Sequence, residues 1–273
     1  MGISVLMSVY AAELPDRLDR ALKSVWDDQT LKPDEIILVE DGPLGQELTT
    51  VIERWRNRLK DSFIVLQNKE NLGLTKSLNK GLDHVHHELI ARMDSDDISH
   101  PCRFEKQVAY FENHPEVDVL GGFVQEFNDD GVLLNIRHYP IEPKEVNQYI
   151  AKASPVAHPT VMMRREIFDA GIRYDENFRT SQDLALWFTL LDKGYKIANI
   201  ADVILYFRLT DDVFKRRSKA GAVRELKIYT HGIRMLYGLF SWRYVYPIAR
   251  FLFRMMPLKV ANRIYNSSLR LKL

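Results

Sequence analysis

Three carboxylates follow a short apolar run in the first half of the chain, in the segment Ala91-Arg92-Met93-Asp94-Ser95-Asp96-Asp97. In an extended chain alternate residues share a face, so we expect Asp94 and Asp96 to point one way and Asp97 the other. Carboxylates this close repel one another unless a cation lies between them, and hard oxygen ligands suit Mg²⁺ or Mn²⁺. The segment therefore predicts that Asp94, Asp96 and Asp97 hold a divalent cation. A solvated acidic loop or a helix N-cap is the alternative.

Two further acidic positions carry candidate chemistry. Asp41 follows an apolar run in Val39-Glu40-Asp41-Gly42-Pro43, where its carboxylate can accept a hydrogen bond from the imide N–H of a nucleobase, or simply form an Asp-Gly turn. Asp183 comes after Ser181-Gln182 and directly before apolar residues at helical spacing. A carboxylate in the first turn of a helix is stabilised by the helix dipole, so Asp183 is either a capping residue or a general base.

The elements that must position these residues can be predicted from the apolar pattern. Short apolar runs at 3–9, 35–39, 63–66 and 89–93 predict strands that alternate with amphipathic helices. Such alternation predicts an α/β fold with a mostly parallel sheet wrapped by helices, whose ligands gather at the carboxyl ends of the strands. After residue 115, apolar runs on either side of Asp129-Asp130-Gly131 predict a hairpin, so the second half is mixed α/β.

Glycine-rich phosphate loops are missing from the sequence. There is no Gly-x-Gly-x-x-Gly after the first predicted strand and no Gly-x-x-x-x-Gly-Lys-Ser/Thr. A dinucleotide fingerprint and a P-loop are thereby excluded. If the sheet binds phosphates, a metal ion is the available means of holding them.

Charge is distributed unevenly along the 273 residues. The net charge is +1, but residues 208–273 contain 15 Lys and Arg against three acidic residues, which leaves the preceding part acidic. This predicts a catalytic domain over 1–207 and a basic amphipathic helical tail over 208–273. Apolar residues at helical spacing in the tail favour a helix that lies on an anionic membrane surface; they are Ile248, Phe251, Leu252 and Met255. The alternative is that this stripe packs on the body, with the basic residues facing water or the acidic body.

The composition of the chain limits the cellular compartments and the binding partners that we expect. The single Cys102 excludes an intrachain disulfide partner and fits a reducing compartment. The longest stretch free of charged residues, 1–12, is far shorter than the ~20 residues that span a bilayer, and the N-terminal segment lacks the pattern of a signal peptide. We expect a cytoplasmic protein without a spanning helix. Because the body is acidic, we expect no nucleic-acid partner.

A series of short motifs runs along the body: Val5-Leu6-Met7-Ser8-Val9-Tyr10, Val39-Glu40-Asp41-Gly42, Asn71-Leu72-Gly73-Leu74, Met93-Asp94-Ser95-Asp96-Asp97, Pro101-Cys102-Arg103-Phe104 and Gln182-Asp183. Each motif is unspecific alone. In this order and spacing, over residues 3–208, they resemble the inverting glycosyltransferases of family 2, which have the GT-A fold.

The resemblance assigns roles on the donor side. It implies that Ser8 and Tyr10 line a uridine pocket, where the Tyr10 ring can stack on the base. It implies that Asp41 reads the uracil. Asp94 and Asp96 would form the DxD motif, which holds Mn²⁺ or Mg²⁺ on the diphosphate of the donor.

The resemblance also assigns the base and exposes two departures. Asp183 would activate the acceptor hydroxyl, and the family's usual Glu before this base is Gln182 here. Where the family often has an arginine, this chain has Leu78. Another basic side chain must then reach the phosphates, and Lys76 or Arg103 is the candidate.

The resemblance further implies the substrates and the location. His158, in His158-Pro159-Thr160, matches an acceptor-side segment of the family, to which Gln182 also belongs. The donor would be a UDP-linked hexose, with glucose or galactose ahead of N-acetylhexosamines. The acceptor would be a lipid-diphosphate-linked sugar of bacterial O-antigen or capsule synthesis, used on the cytoplasmic face of the inner membrane.

Three other classes remain as alternatives. A nucleotidyltransferase that forms sugar nucleotides would share the sheet and the acidic site, but it should carry a basic glycine-rich loop where this chain has Tyr10-Ala11-Ala12-Glu13. A glycosidase would place two carboxylates on opposite sides of one bond. A non-enzymatic sugar-nucleotide sensor would not need Asp183.

Overall fold

The computed structural model describes residues 1–209 and 219–255, and in these the chain forms one sheet with helices on both faces. The strands are β1 (Ile3–Val9), β2 (Glu35–Glu40), β3 (Phe63–Gln67), β4 (Leu89–Met93), β5 (Ile98–Ser99), β6 (Val119–Phe127), β7 (Leu133–Arg137), β8 (Met162–Arg164) and β9 (Ile197–Arg208). The helices are α1 (Pro15–Trp26), α2 (Gln46–Leu59), α3 (Leu74–Leu82), α4 (Arg103–Asn113), α5 (Pro143–Tyr149), α6 (Glu166–Asp169), α7 (Gln182–Asp192), α8 (Lys219–Tyr237) and α9 (Val245–Met255). The predicted α/β fold class is confirmed.

The first four strands are parallel and lie in the order β3-β2-β1-β4. The sheet continues from β4 through β8, β6, β9 and β5. Strand β8 is antiparallel to both of its neighbours, whereas β6 and β9 are parallel to each other. The direction of strand addition reverses between β1 and β4. A crevice at such a switch point, at the carboxyl ends of the strands, is where open α/β sheets bind ligands.

Side chains of β1 alternate between two cores, because successive residues of a strand point to opposite faces of the sheet. Val5 and Met7 belong to the core that α1, α2 and α4 cover, whereas Leu6 belongs to the core that α3 and α7 cover. All three side chains are fully buried. Burial on both faces explains why the parallel strands are continuous apolar runs in the sequence.

The predicted hairpin is confirmed as β6 and β7, whose connection turns at Gly131 with a φ of +78°. Only glycine adopts this left-handed conformation without strain. All of β7 is exposed, whereas β6 is buried and pairs with β9 on its other edge. The hairpin therefore places β7 beside the crevice without making it part of the core.

Helix α8 packs on α7. Ile228, Tyr229 and Ile233 of α8 are buried in the same core as Trp187 and Phe188 of α7. The predicted domain boundary after residue 207 falls one residue before the end of β9 at Arg208, and α8 shares its core with the body. Residues 210–218 and 256–273 of the predicted tail lie outside the described residues.

Gly232 allows the close contact between these two helices. A Cβ atom at this position would lie 2.2 Å from Cγ of Phe188, well inside any van der Waals contact. The Phe188 ring also meets the Tyr229 ring edge to face, with 5.9 Å between the centroids. A larger residue at 232 would push the helices apart.

Helix α9 is fastened to α8 by ion pairs and leaves an apolar surface uncovered. Arg250 Nη1 lies 2.8 Å from Glu225 Oε1, and Arg254 pairs with the other oxygen of Glu225. The side chains of these arginines therefore lie between α8 and α9.

The apolar stripe predicted for the tail is partly exposed: Phe251 is half-buried and Met255 is exposed. The remaining stripe residues and the preceding turn form what we name the apolar hairpin face: Leu239, Phe240, Trp242, Val245, Ile248 and Leu252, all exposed.

No helix in residues 1–209 or 219–255 is both long enough and apolar enough to cross a membrane.

Candidate active site

The three predicted carboxylates lie together at the carboxyl end of β4. Asp94, Asp96 and Asp97 each offer one oxygen, and these oxygens lie within 4.8 Å of one another. The expectation that Asp97 points away is wrong. Strand β4 ends at Met93 and the chain bends over residues 95–97, so the alternation of an extended strand no longer applies.

The electrostatics of this cluster suit a bound cation. Burial, with smaller contributions from Asp94 and Glu13, raises the pKa of Asp96 to about 6. Burial and the two neighbouring carboxylates raise the pKa of Asp97 well above its ordinary value. Asp97 Oδ2 is buried and has no hydrogen-bond partner among the described residues. A divalent ion would neutralise the repulsion and supply the missing contact, so the donor set fits Mg²⁺ or Mn²⁺.

Two residues that sequence reasoning missed, Glu13 and Arg208, hold the loop of this cluster. Ser95 Oγ donates to Glu13 Oε2 at 2.6 Å, which joins the loop to the residues after β1. Arg208, the last residue of β9, donates from its backbone N–H to Asp97 Oδ1 at 2.9 Å and from Nε to the Asp96 carbonyl at 3.0 Å. The cluster is therefore fastened from two sides. Both partners are remote in sequence, so no local signal marks them.

Asp41 lies at the carboxyl end of β2 and is bound by the turn before α3. Its Oδ1 accepts the Leu72 N–H at 2.8 Å and the Asn68 side chain at 3.1 Å, and its Oδ2 accepts the Gly73 N–H at 2.9 Å. A carboxylate oxygen can accept two hydrogen bonds, so Oδ2 retains one lone pair. The turn requires glycine, because the φ of Gly73 is +89°. Asp41 is thus oriented by the protein and can still accept an N–H from a ligand.

Ser8 and Tyr10 lie at the carboxyl end of β1. Ser8 is half-buried, and Tyr10 directly after the strand is 49% exposed. Strands β1 and β2 are adjacent and parallel, and Val9 pairs with Glu40, the residue before Asp41. The predicted nucleotide-binding residues therefore follow neighbouring strands at one edge of the sheet. Their roles stay predictions.

A cavity of about 410 Å³ opens on the other side of Asp94. It lies between the end of β4, the start of α7, the segment 154–159 and the strands β6, β7 and β9. The structure brings together in it four of the residues predicted from the sequence: Asp94, His158, Gln182 and Asp183.

Asp183 stands in the first turn of α7, as predicted. The chain enters this helix through Ser181, whose φ of +61° is unusual for a residue other than glycine. Gln182 is buried and Asp183 is half-buried. Burial raises the pKa of Asp183, while the Leu184 N–H and the charge of Arg92 oppose this shift. A carboxylate with a raised pKa that faces a cavity is suited to accept a proton.

His158 lies in the wall of the cavity as a neutral side chain. Its Nε2 is 2.8 Å from the Tyr174 hydroxyl, and its ring meets that of Trp187 edge to face at 6.0 Å. Burial, and to a lesser extent Arg92, holds the pKa of His158 well below its ordinary value. The imidazole is therefore positioned by the core, and its predicted acceptor-side role stays a prediction.

Arg92 is a central residue that sequence reasoning missed. Its side chain is 3% exposed and pairs with Asp94, while Nε and Nη1 have no hydrogen-bond partner among the described residues. Asp94 lies two residues further along the chain, on the same face. A buried cation here holds Asp94 in place and favours the ionised form of Asp183. The signal was available, because an arginine inside an otherwise apolar predicted strand needs a partner.

The structure overturns the prediction that Arg103 reaches the phosphates. Arg103 begins α4 but is fully buried, with Nε donating to Gln107 Oε1 at 3.1 Å and Nη2 to the Arg92 carbonyl at 2.8 Å. It therefore fastens α4 to β4 from inside the core. Leu78 is also fully buried, whereas Lys76 is exposed in the first turn of α3. A donor-binding role for Lys76 stays a prediction.

Comparisons with known proteins agree with this architecture. The family model described as glycosyl transferase family 2 matches residues 4–171. The amylovoran biosynthesis glycosyltransferase AmsE of Erwinia amylovora is 34% identical over 96% of this chain and 97% of its own length. The UDP-Gal:alpha-D-GlcNAc-diphosphoundecaprenol beta-1,3-galactosyltransferase of Escherichia coli is 32% identical over 98% of this chain and 96% of its own length.

A solved structure has the same fold. The S. aureus protein TarS, residues 1–349, crystallised in complex with UDP-GlcNAc, superposes with a TM-score of 0.62 at 18% sequence identity. The match covers 94% of this chain and 82% of that one. At this identity the similarity concerns the fold alone. The family model, the full-length relatives and the shared fold together show that the chain belongs to glycosyltransferase family 2 and is a glycosyltransferase of the GT-A fold.

Proposed function

We propose that this glycosyltransferase transfers a hexose from a UDP-sugar to a hydroxyl of a lipid-diphosphate-linked sugar, with inversion at the anomeric carbon, during assembly of a bacterial O-antigen or capsular polysaccharide. The observation that carries the proposal is one cavity lined by both Asp183 and Asp94, the first residue of the predicted cation-binding cluster. The Escherichia coli relative, whose name specifies a UDP-Gal donor and a diphosphoundecaprenol-linked acceptor, supports the choice of substrates.

The protein's residues would divide the reaction between them. Ser8, Tyr10 and Asp41 hold the uridine at the ends of β1 and β2. Asp94, Asp96 and Asp97 bind Mg²⁺ or Mn²⁺, which when bound neutralises the diphosphate as a Lewis acid.

The chemical step is a single displacement. Asp183 takes the proton of the acceptor hydroxyl as its oxygen bonds to the anomeric carbon. The bond from that carbon to the phosphate oxygen breaks on the opposite face, and its electron pair leaves with UDP. An α-linked donor therefore yields a β-glycoside.

Membership of family 2 argues against the alternatives. A nucleotidyltransferase or a glycosidase would belong to another family. A sensor would have no use for a half-buried carboxylate opposite the cation site. Transfer of a sugar from the donor to an acceptor is the function that uses both the predicted cation site and Asp183.

We place the enzyme at the cytoplasmic face of the inner membrane as a peripheral protein. The apolar hairpin face supports this, because exposed aliphatic and aromatic side chains next to one another are typical of surfaces that enter the interface of a bilayer. Phe240 is 97% exposed and Trp242 is 65% exposed. Since Arg250 and Arg254 bind Glu225, we assign the main attraction to apolar insertion rather than to these charges.

A UDP-release assay tests the proposal. The full-length protein with MnCl₂ or MgCl₂ is given UDP-glucose, UDP-galactose or UDP-N-acetylhexosamines, each with a synthetic lipid-diphosphate-sugar acceptor. We expect acceptor-dependent UDP release with one hexose donor and a β-linked product by NMR. An α-linked product from an α-linked donor would refute inversion, and no release with any donor would refute the substrate class.

A further inference from the structure

The burial of Arg103 removes one of the two basic residues that the sequence offered for the donor's phosphates, and Lys76 of α3 remains as the other. Among the described residues, three arginines line the cavity: Arg92, Arg137 and Arg179. Arg92 pairs with Asp94, and Arg137 pairs with Glu126 of β6. Arg179 has no carboxylate partner within the described parts of the chain. Of these three, it is therefore the arginine whose charge is available to a ligand.

Arg179 lies beside the turn that binds Asp41. Its Nε and Nη2 are 3.6 and 4.0 Å from the position that a Cβ atom at Gly73 would take. The same Gly73 donates its N–H to Asp41. The guanidinium thus stands between the predicted uridine pocket and the cavity that contains Asp183. In a UDP-sugar the two phosphates join the uridine to the sugar. They must therefore lie in the space between the uridine pocket and Asp183.

Both neighbours of Arg179 in sequence are anchored. The carbonyl of Phe178 accepts a hydrogen bond from Thr75 Oγ1 of α3 at 2.6 Å. The hydroxyl of Thr180 is bound by Arg224 of α8. The side chain of Arg179 is exposed, but the residue before it is bound by α3 and the residue after it by α8. Arg179 is therefore already placed beside the gap before any ligand binds, which lowers the cost of ordering it.

We propose that Arg179 is the residue that contacts the diphosphate of the UDP-sugar, on the side opposite the cation site. This inference rests on the proposed donor. The diphosphate gains negative charge as its bond to the anomeric carbon breaks, so a positioned guanidinium stabilises the leaving group more strongly than the bound substrate. Arg179 would then increase both the affinity for UDP and the rate of transfer.

The test is a series of ligands that differ only in phosphate number. Binding of uridine, UMP and UDP in the presence of MgCl₂ is measured by calorimetry on full-length protein, for the wild type, Arg179→Ala and Arg179→Lys. Loss of a charge-assisted contact should weaken UDP binding about tenfold in Arg179→Ala. Uridine binding should not change, and Arg179→Lys should recover part of the loss for UDP.

A matched control removes one arginine near the amino-terminal end of β4, away from the site. Arg165 follows Arg164, which pairs with Leu89 at the beginning of β4, whereas the site lies at the opposite end of that strand. Arg165→Ala changes the net charge equally and should leave the affinity for UDP unchanged. Equal losses in both variants would mean that only the net charge of the protein matters, and would overturn the proposal.

The remaining outcomes separate this inference from the proposed function. Wild-type protein that binds no UDP would refute the UDP donor itself. Wild-type binding that Arg179→Ala retains in full would refute the role of Arg179 alone. An Arg179→Ala variant with normal UDP affinity but a raised KM for the lipid-diphosphate acceptor would assign this arginine to the acceptor's phosphates and would also overturn the proposal.

Discussion

Replacing Gly232 by alanine tests whether α8 is part of the catalytic body, because two effects of opposite sign compete there. In the interior of a free helix, alanine in place of glycine stabilises by about 0.5–1 kcal/mol. Here the new methyl group would lie 2.2–2.5 Å from three ring atoms of Phe188. Overpacking a core by this amount costs typically about 1–3 kcal/mol. We expect a net destabilisation of roughly 1–2 kcal/mol, because the steric cost exceeds the gain in helix propensity.

The measurement is thermal and urea unfolding of the full-length protein, followed by circular dichroism. For a chain of this size the expected loss lowers Tm by roughly 2–6 °C. Phe188→Leu makes room for the methyl group, so Gly232→Ala should cost less in that background than in the wild type. A rise in Tm on Gly232→Ala alone would show that α8 does not pack on α7 as described.

Three other predictions concern the chemistry and the membrane. Asp183→Asn keeps the shape of the side chain but removes the base, so turnover should fall by about 10² or more while UDP binding is retained. In the wild type, kcat should decline as the pH falls, because acid protonates Asp183 at its raised pKa. Near-normal turnover of Asp183→Asn would remove this residue from the mechanism. Asp96→Ala should abolish activity without unfolding the protein, and wild-type activity should disappear with a chelator and return with Mn²⁺ or Mg²⁺; full activity in excess chelator would exclude a catalytic metal. Phe240→Ser and Trp242→Ser should each weaken sedimentation with anionic vesicles, whereas Val132→Ser, at the exposed turn before β7, should not; equal binding by all of the variants would leave the apolar hairpin face without a role at membranes.

Local patterns predicted the first half of the fold well. The apolar runs that became β1 and β4 and the stripe that became α1 depend on side-chain periodicity alone, which a sequence displays directly. The order β8-β6-β9 has no such signal, because its pairings join residues far apart in the chain. Asp94 and Asp183 were found because each adjoins a strongly patterned element.

Prediction from the sequence failed for arginines whose role depends on whether the side chain is buried in the core or faces the site. Arg103 stands in a polar context in the sequence, yet it is enclosed by Arg92 and Gln107 in the core. Whether an arginine at a helix start faces the site or the core depends on how that helix rotates against the sheet, and one sequence does not contain this angle. Arg179 was overlooked for the converse reason. It belongs to no motif, and its significance comes from its closeness to Gly73, in the turn that binds Asp41.

The exposure of Trp242 gives the protein a natural fluorescent reporter. The chain has four tryptophans, of which Trp55 and Trp187 are buried and Trp26 is half-buried. Quenchers dissolved in water will therefore reach the indole of Trp242 before the others. Contact of this surface with a bilayer would shield that indole and shift its emission to the blue. Association with membranes can thus be followed in the unlabelled enzyme, independently of catalysis.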